Sequence, residues 1–215
     1  MNETFNRIAQ AGVLPIITID EPEKARSLAN AIFEGGIPCA EVTLRTARAL
    51  DAIEEITRHT PQLLLGAGTV LRPEQVDSAV AAGAKYIVTP GLNFAVVRRC
   101  QEIGVPVLPG CATPTEMERA LALGLEAVKL FPAQTLGGAA YIKAVCGPYS
   151  MLKFLPTGGV NGDNLKEYLA LPSVLACGGS WMVKREWVDE GRFDQIAAAC
   201  THTVKQVWEV RGNEK

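Results

Sequence analysis

Histidine is nearly absent from this chain: His59 and His202 are the only two in 215 residues. Both fall in stretches of helical periodicity with no neighbouring ligand set, so a zinc site is not expected. The six cysteines (Cys39, Cys100, Cys111, Cys146, Cys177 and Cys200) contain no C-x-x-C pair. Most sit beside apolar residues, where a thiol packs as a small hydrophobe. Disulfides are not expected in a reduced compartment, and neither is a metal or other cofactor. An excess of charge is also missing. The formal net charge is -2 with both signs scattered, so no basic patch points to nucleic acid or an anionic membrane. The apolar stretches are short and broken by Lys, Glu, Gly or Pro, which excludes a hydrophobic transmembrane helix. Residues 1–7 lack the basic-then-apolar order of a secretory signal, and a soluble cytoplasmic protein is expected. Whatever chemistry the chain performs must rest on lysine, carboxylate, arginine and backbone groups.

What the chain does have is apolar material, 48% of its residues, laid out in a regular alternation. Short apolar runs at 14–19, 40–44, 63–66, 86–89, 105–108, 128–131, 153–156 and 174–177 read as strands. Amphipathic segments separate them, among them 47–58, 73–82 and 93–102. The first of these connecting helices opens at Asp20 and Pro22, carries Ala25, Leu28, Ala29, Ile32 and Phe33 on one face, and closes at Gly35-Gly36. A final helix carries Phe193, Ile196, Ala197, Cys200, Val204, Val207 and Trp208 along one stripe. Eight strands joined by helices, with a further helix near each terminus, predict an α/β fold of the (β/α)8 TIM-barrel type. With no linker or shift in composition, residues 1–215 are expected to form a single domain. A doubly wound open sheet has the same element order, but no G-x-G-x-x-G follows the first strand. A barrel places active residues at the C-terminal strand ends and phosphate in the loops after strands seven and eight.

Lys129 lies inside the apolar run Val128-Lys129-Leu130-Phe131, on one face with Ala127 and Phe131. A parallel strand is covered on both faces, so this amine must lose much of its hydration. That costs several kcal/mol unless the amine is paired or becomes neutral and nucleophilic. A structural ion pair, or a stem running along apolar surface to a wet end, would explain the same residue. On strand two, Glu41, Thr43 and Arg45 alternate onto the inward face. Glu41 and Arg45 would stand about 13 Å apart along an extended strand, too far to pair with each other. Each therefore needs another partner, and Lys129 is the candidate for Glu41.

Gly66-Ala67-Gly68-Thr69 ends strand three with room for close approach of backbone or ligand and a hydroxyl at Thr69; a plain turn would use the same residues. Thr89-Pro90-Gly91 ends strand four in the same style. Thr157-Gly158-Gly159 and Gly178-Gly179-Ser180 end strands seven and eight, each leading toward a helix, the second of them a short one over 181–187. Two such turns present free backbone N–H groups to one small volume, an arrangement that binds a phosphate dianion.

Taken in order and spacing from Leu14 to Val183, these segments resemble the KDPG aldolases, the bacterial 2-keto-3-deoxy-6-phosphogluconate aldolases that often also cleave 2-keto-4-hydroxyglutarate. The resemblance implies a class I aldolase in a homotrimer of barrels, acting on keto-acid and sugar-phosphate substrates. Lys129 then matches the Schiff-base lysine and Glu41 the general acid/base. Arg45 and Thr69 match residues that hold the substrate carboxylate. Phe131, Thr157 and Pro90 are expected to pack against the substrate, Thr157 at a position implicated in stereochemical preference. Gly158, Gly159, Gly179 and Ser180 match the phosphate-binding turns. Gln134 departs from the pattern, since many relatives carry an acidic residue there, and little effect is expected. Arg45 favours the gluconate over the phosphogalactonate type, which usually has Asn at that place. Competing readings are a sugar-phosphate isomerase or synthase on the same barrel, and a non-catalytic sugar-phosphate binding protein or structural oligomer.

Overall fold

The apolar runs pair as parallel strands, which the intervening helices require because each crossover returns the chain to the same end of the sheet. The computed structural model describes residues 1–212. Its strands are β1 (Val13–Ile17), β2 (Cys39–Thr43), β3 (Leu64–Gly68), β4 (Ile87–Val88), β5 (Val107–Leu108), β6 (Gly110–Cys111), β7 (Ala127–Leu130), β8 (Lys153–Pro156) and β9 (Cys177–Gly179). They form a six-stranded sheet in the order β5-β4-β3-β2-β1-β9 and a three-stranded sheet in the order β6-β7-β8. Together they make an α/β fold around a curled parallel sheet. The strand interiors read as near-continuous Val, Ile, Leu, Ala and Cys because helices cover the outer face.

The fifth predicted strand, 105–108, is found only as Val107–Leu108, and beyond Pro109 lies a further short strand, Gly110–Cys111, that was not predicted. Pro109 has no N–H to give to a ladder, so Val107 and Leu108 pair with β4 while Gly110 and Cys111 pair with β7. The Pro109 carbonyl is still used, accepting from the Lys129 N–H at 2.9 Å. Isolated bridges Phe154↔Val174 and Thr157↔Gly178 link β8 to the β9 region.

The last strand differs from the predicted 174–177. Val174 makes only its bridge, and β9 takes in Gly178 and Gly179, whose missing side chains are filled by neighbours. A Cβ on Gly179 would lie 2.0 Å from Trp181 Cζ3. The same packing overrides the short helix predicted over 181–187. Residues 181–183 form a turn closed by Val183 N–H to Ser180 C=O at 3.0 Å, and the helix there spans only Arg185–Asp189.

The terminal helices follow from their capping and face patterns. Helix α1 (Glu3–Ala11) is capped by the Asn2 side chain, which accepts from the Phe5 N–H at 2.9 Å. Helix α2 (Ala25–Glu34) stops before Gly36, whose φ is 90°. The C-terminal helix (Phe193–Arg211) packs on α2 and buries Ile196, Cys200, Thr203 and Val207. Trp208 turns past the edge of the predicted stripe and is 54% exposed. At the end of this helix the Arg211 guanidinium donates to the carbonyls of Ala9 and Leu175 at 2.9 Å and Val174 at 2.7 Å, tying three chain segments together. No helix among the described residues is long and apolar enough to cross a membrane.

Candidate active site

Glu41 on β2 and Lys129 on β7 meet inside the curled sheet. Glu41 is fully enclosed and Lys129 is 5% exposed. Lys129 Nζ stands 3.7 Å from Glu41 Oε1, an ion pair too long for a direct hydrogen bond. Among the described residues neither Glu41 oxygen has a hydrogen-bond partner. A buried carboxylate left in this state is costly, and its acceptor capacity is directed at whatever occupies the space beside the amine. Lys129 Nζ also lies 5.5 Å from the centre of the Phe131 ring, within cation–π range.

The glycines of β3 explain how an acidic side chain fits there. Gly68 pairs with Thr43, one alternation beyond Glu41. A Cβ on Gly68 would stand 1.8 Å from Glu41 Oε1, so the carboxyl group lies across this residue. Gly66 likewise makes room for the Tyr86 ring. The close approach expected of these glycines is therefore made by two side chains of the chain itself. Tyr86 is wholly buried and donates its hydroxyl to the Ala40 carbonyl at 2.6 Å. Burial pushes its phenol well above the ordinary value, with the Cys39 thiol and Glu41 adding in the same direction, so it stays a neutral donor beside Glu41.

Arg45 is not an inward residue of β2, because the strand ends at Thr43. The chain turns there, with Arg45 N–H donating to the Thr43 carbonyl at 2.8 Å, and the guanidinium is exposed at the rim. Its Nε donates to Thr69 Oγ1 at 3.1 Å. Thr69 has φ 57°, the only non-glycine residue with positive φ among those described. A β-branched side chain in that region is strained by roughly 1–2 kcal/mol, a cost the Arg45 hydrogen bond helps to offset. Thr18, which the sequence did not single out, lies 3.0 Å hydroxyl-to-hydroxyl from buried Thr43, which itself sits 3.0 Å from the Ile17 carbonyl. Its only sequence signal is alternation two places after Ile16, the register partner of Glu41.

The remaining predicted residues also gather at strand ends. Pro90 follows β4, and its carbonyl packs against Gly110, the register partner of Lys129. Thr157 is buried and bridges Gly178, which brings Gly158 and Gly159 beside Gly179 and Ser180. Gly158 and Gly159 have φ of 94° and 77°. Among the described residues the N–H groups of Gly159 and Ser180 donate to no protein acceptor. No helix opens directly at either turn, so the available donors are loop amides and not the helix ends expected from the sequence. Among the described residues no three His, Cys, Asp or Glu side chains cluster as a metal site would require.

A buried amine and carboxylate, an exposed guanidinium and two turns with unused amides gather on one parallel α/β sheet, the kind of arrangement that enzymes of small molecules carry. A sequence model of the KDPG and KHG aldolase family matches residues 5–199, and the chain belongs to that family. It is 47% identical over 203 residues to the 2-dehydro-3-deoxy-phosphogluconate aldolase of Treponema pallidum, covering 94% of this chain and 97% of that one. The KHG/KDPG aldolase of Escherichia coli is 39% identical over 193 residues, covering 90% and 91%. The crystal structure of the KDPG aldolase from Legionella pneumophila, with pyruvate captured as a covalent carbinolamine, superposes with a TM-score of 0.90. That protein is 39% identical, and the match covers 94% of this chain and 98% of the other.

Proposed function

We propose that this protein is a class I aldolase that cleaves 2-keto-3-deoxy-6-phosphogluconate to pyruvate and glyceraldehyde 3-phosphate. It also cleaves 2-keto-4-hydroxyglutarate to pyruvate and glyoxylate. The observation that carries this reading is the buried Lys129–Glu41 pair, 3.7 Å apart, whose carboxylate has no other partner. The names of the T. pallidum and E. coli relatives and the carbinolamine in the L. pneumophila protein support it.

The Lys129 amine adds to the C2 ketone, and Glu41 passes protons so that water leaves and a cationic imine forms. Glu41 then takes the proton of the C4 hydroxyl, and the C3–C4 bonding electrons flow into the imine. The aldehyde departs, leaving an enamine. Protonation at C3 and hydrolysis release pyruvate and restore the amine. Arg45, oriented by Thr69, holds the substrate carboxylate at the rim and sets C2 against the amine. Phe131, Thr157 and Pro90 pack against the carbon chain, and the Gly158, Gly159, Gly179 and Ser180 backbone receives the phosphate.

The same reading takes residues 1–215 as one domain whose two sheets close into an eight-strand barrel. Supporting closure are the Lys129 N–H to Pro109 carbonyl bond and the two bridges between β8 and the β9 region. A cytoplasmic homotrimer follows from the family resemblance. Borohydride reduction in the presence of pyruvate, followed by peptide mass spectrometry, tests the chemistry. A reduced pyruvyl adduct on Lys129 is expected; an unmodified Lys129 under saturating pyruvate refutes the assignment.

A further inference from the structure

Gln134 packs against the Gly158-Gly159 turn, touching it twice and reaching it once more through Asn164. Its backbone N–H donates to the Gly158 carbonyl at 3.0 Å. Its Cβ occupies the space of a Gly159 side chain, 2.4 Å from where a Cβ would stand. Its Oε1 accepts from the Tyr168 hydroxyl at 2.8 Å and, at a longer 3.5 Å, from Asn164 Nδ2. Asn164 Nδ2 in turn donates to the Gly159 carbonyl at 2.9 Å.

The network fixes which amide atoms face which. Asn164 Oδ1 accepts from the Asn161 N–H at 2.9 Å, so the other end of that amide is the donor. Gln134 must therefore present its oxygen to Asn164. Gly138 leaves room for the contact, since a Cβ there would stand 3.1 Å from Gln134 Oε1 and 3.2 Å from the Tyr168 hydroxyl.

The consequence for the turn comes from peptide geometry. In a trans peptide unit the C=O and the next residue's N–H point in opposite directions. Holding the Gly158 carbonyl against Gln134 aims the Gly159 N–H away from it. Holding the Gly159 carbonyl against Asn164 does the same for the Val160 N–H. Both carbonyls are occupied on one side, and the donors are set on the other.

We infer that Gln134 is a positioning residue for phosphorylated substrate: its side-chain carbonyl, held in place by the Tyr168 hydroxyl and received by Asn164, fixes the Gly158-Gly159 turn with its N–H groups presented to the phosphate. The inference rests on the aldolase reading, and it says which substrate feels the network. An aldol with no phosphate does not use the turn.

The test compares steady-state pyruvate release from the phosphorylated aldol and from 2-keto-4-hydroxyglutarate. Gln134→Met keeps the side-chain length and removes the acceptor. It is expected to raise KM for the phosphorylated aldol about 3- to 10-fold, the loss of one or two hydrogen bonds that preorganise the turn. The kcat, and both constants for the unphosphorylated aldol, should stay within about twofold, which also reports an intact fold. Gln134→Glu retains the acceptor and should restore KM. Tyr168→Phe, which removes only the hydroxyl, should shift KM in the same direction. Equal changes for the two aldols, or no change in Gln134→Met, overturn the inference alone. No pyruvate release from either aldol by the unsubstituted protein overturns the aldolase reading and the inference with it.

Discussion

Gly68→Ala tests the site without altering any reacting group. The added Cβ would stand 1.8 Å from Glu41 Oε1, 2.4 Å from Cδ and 2.6 Å from Cγ. Ordinary carbon contacts begin near 3.5 Å, so the carboxyl group must retreat by about 1.5 Å or the strand must yield. Overpacking of this kind costs about 1–3 kcal/mol, a fall in Tm of roughly 2–12 °C for a chain of this size. The larger effect is on turnover, because a reacting group displaced by about 1 Å loses on the order of 100-fold. A coupled assay for pyruvate, run on protein shown folded by circular dichroism, should find that loss in kcat. Glu41→Asp shortens the carboxylate by one methylene and is costly alone, yet it relieves the clash. The double variant should exceed the product of the two single effects by about tenfold, the coupling expected of residues in contact. Turnover of folded Gly68→Ala within about threefold of the parent, or additive single effects, refutes the assignment of Glu41.

Glu41→Gln keeps the shape and removes the base; turnover should fall by about 10²–10⁴-fold with an unchanged circular dichroism spectrum. Arg45→Lys loses the planar fork at the rim and should raise KM for either aldol by about tenfold with little change in kcat, measured by the same coupled assay. Arg211→Met removes three bonds to carbonyls and should lower stability by roughly 2–4 kcal/mol in urea unfolding. Burial pushes the thiols of Cys39, Cys100, Cys111 and Cys200 up to about 12, and Cys177 upward as well. Folded values above unfolded ones stabilise the protein fully below about pH 8.5, and that contribution is lost as pH rises toward 12. The urea midpoint should therefore fall between pH 9 and 11, about where unfolded thiols ionise. Iodoacetamide at about pH 8 should label half-buried Cys146 first in the native protein, as read by intact mass.

Strands were legible where one residue type per face sufficed, as in β2 and β7, because alternation and burial act on neighbours in sequence. Alternation set Glu41 inward and Lys129 on one buried face, and their pairing came from the distance that keeps Glu41 from Arg45. Arg45 was placed one alternation too far, since the strand stops at Thr43 and nothing in Leu44-Arg45 announces the turn. The roles of Gly66 and Gly68 depend on Glu41 of β2 and on Tyr86 just before β4, so spacing could show only that room was needed. The strand beyond Pro109, Gly110–Cys111, was not legible, because two residues after a proline carry no alternation and their pairing with β7 forms only in the fold. Trp181 followed tertiary packing over Gly179 in place of its helical pattern. Gln134, Asn164 and Tyr168 are 30 and 34 positions apart and meet only after folding.

Pro109 sits where the six-stranded and three-stranded sheets meet, and its carbonyl holds the amide of Lys129. The backbone of the proposed nucleophile is thus tied to the residue that joins the two sheets. The exchange rate of the Lys129 amide hydrogen measures how often that fastening opens.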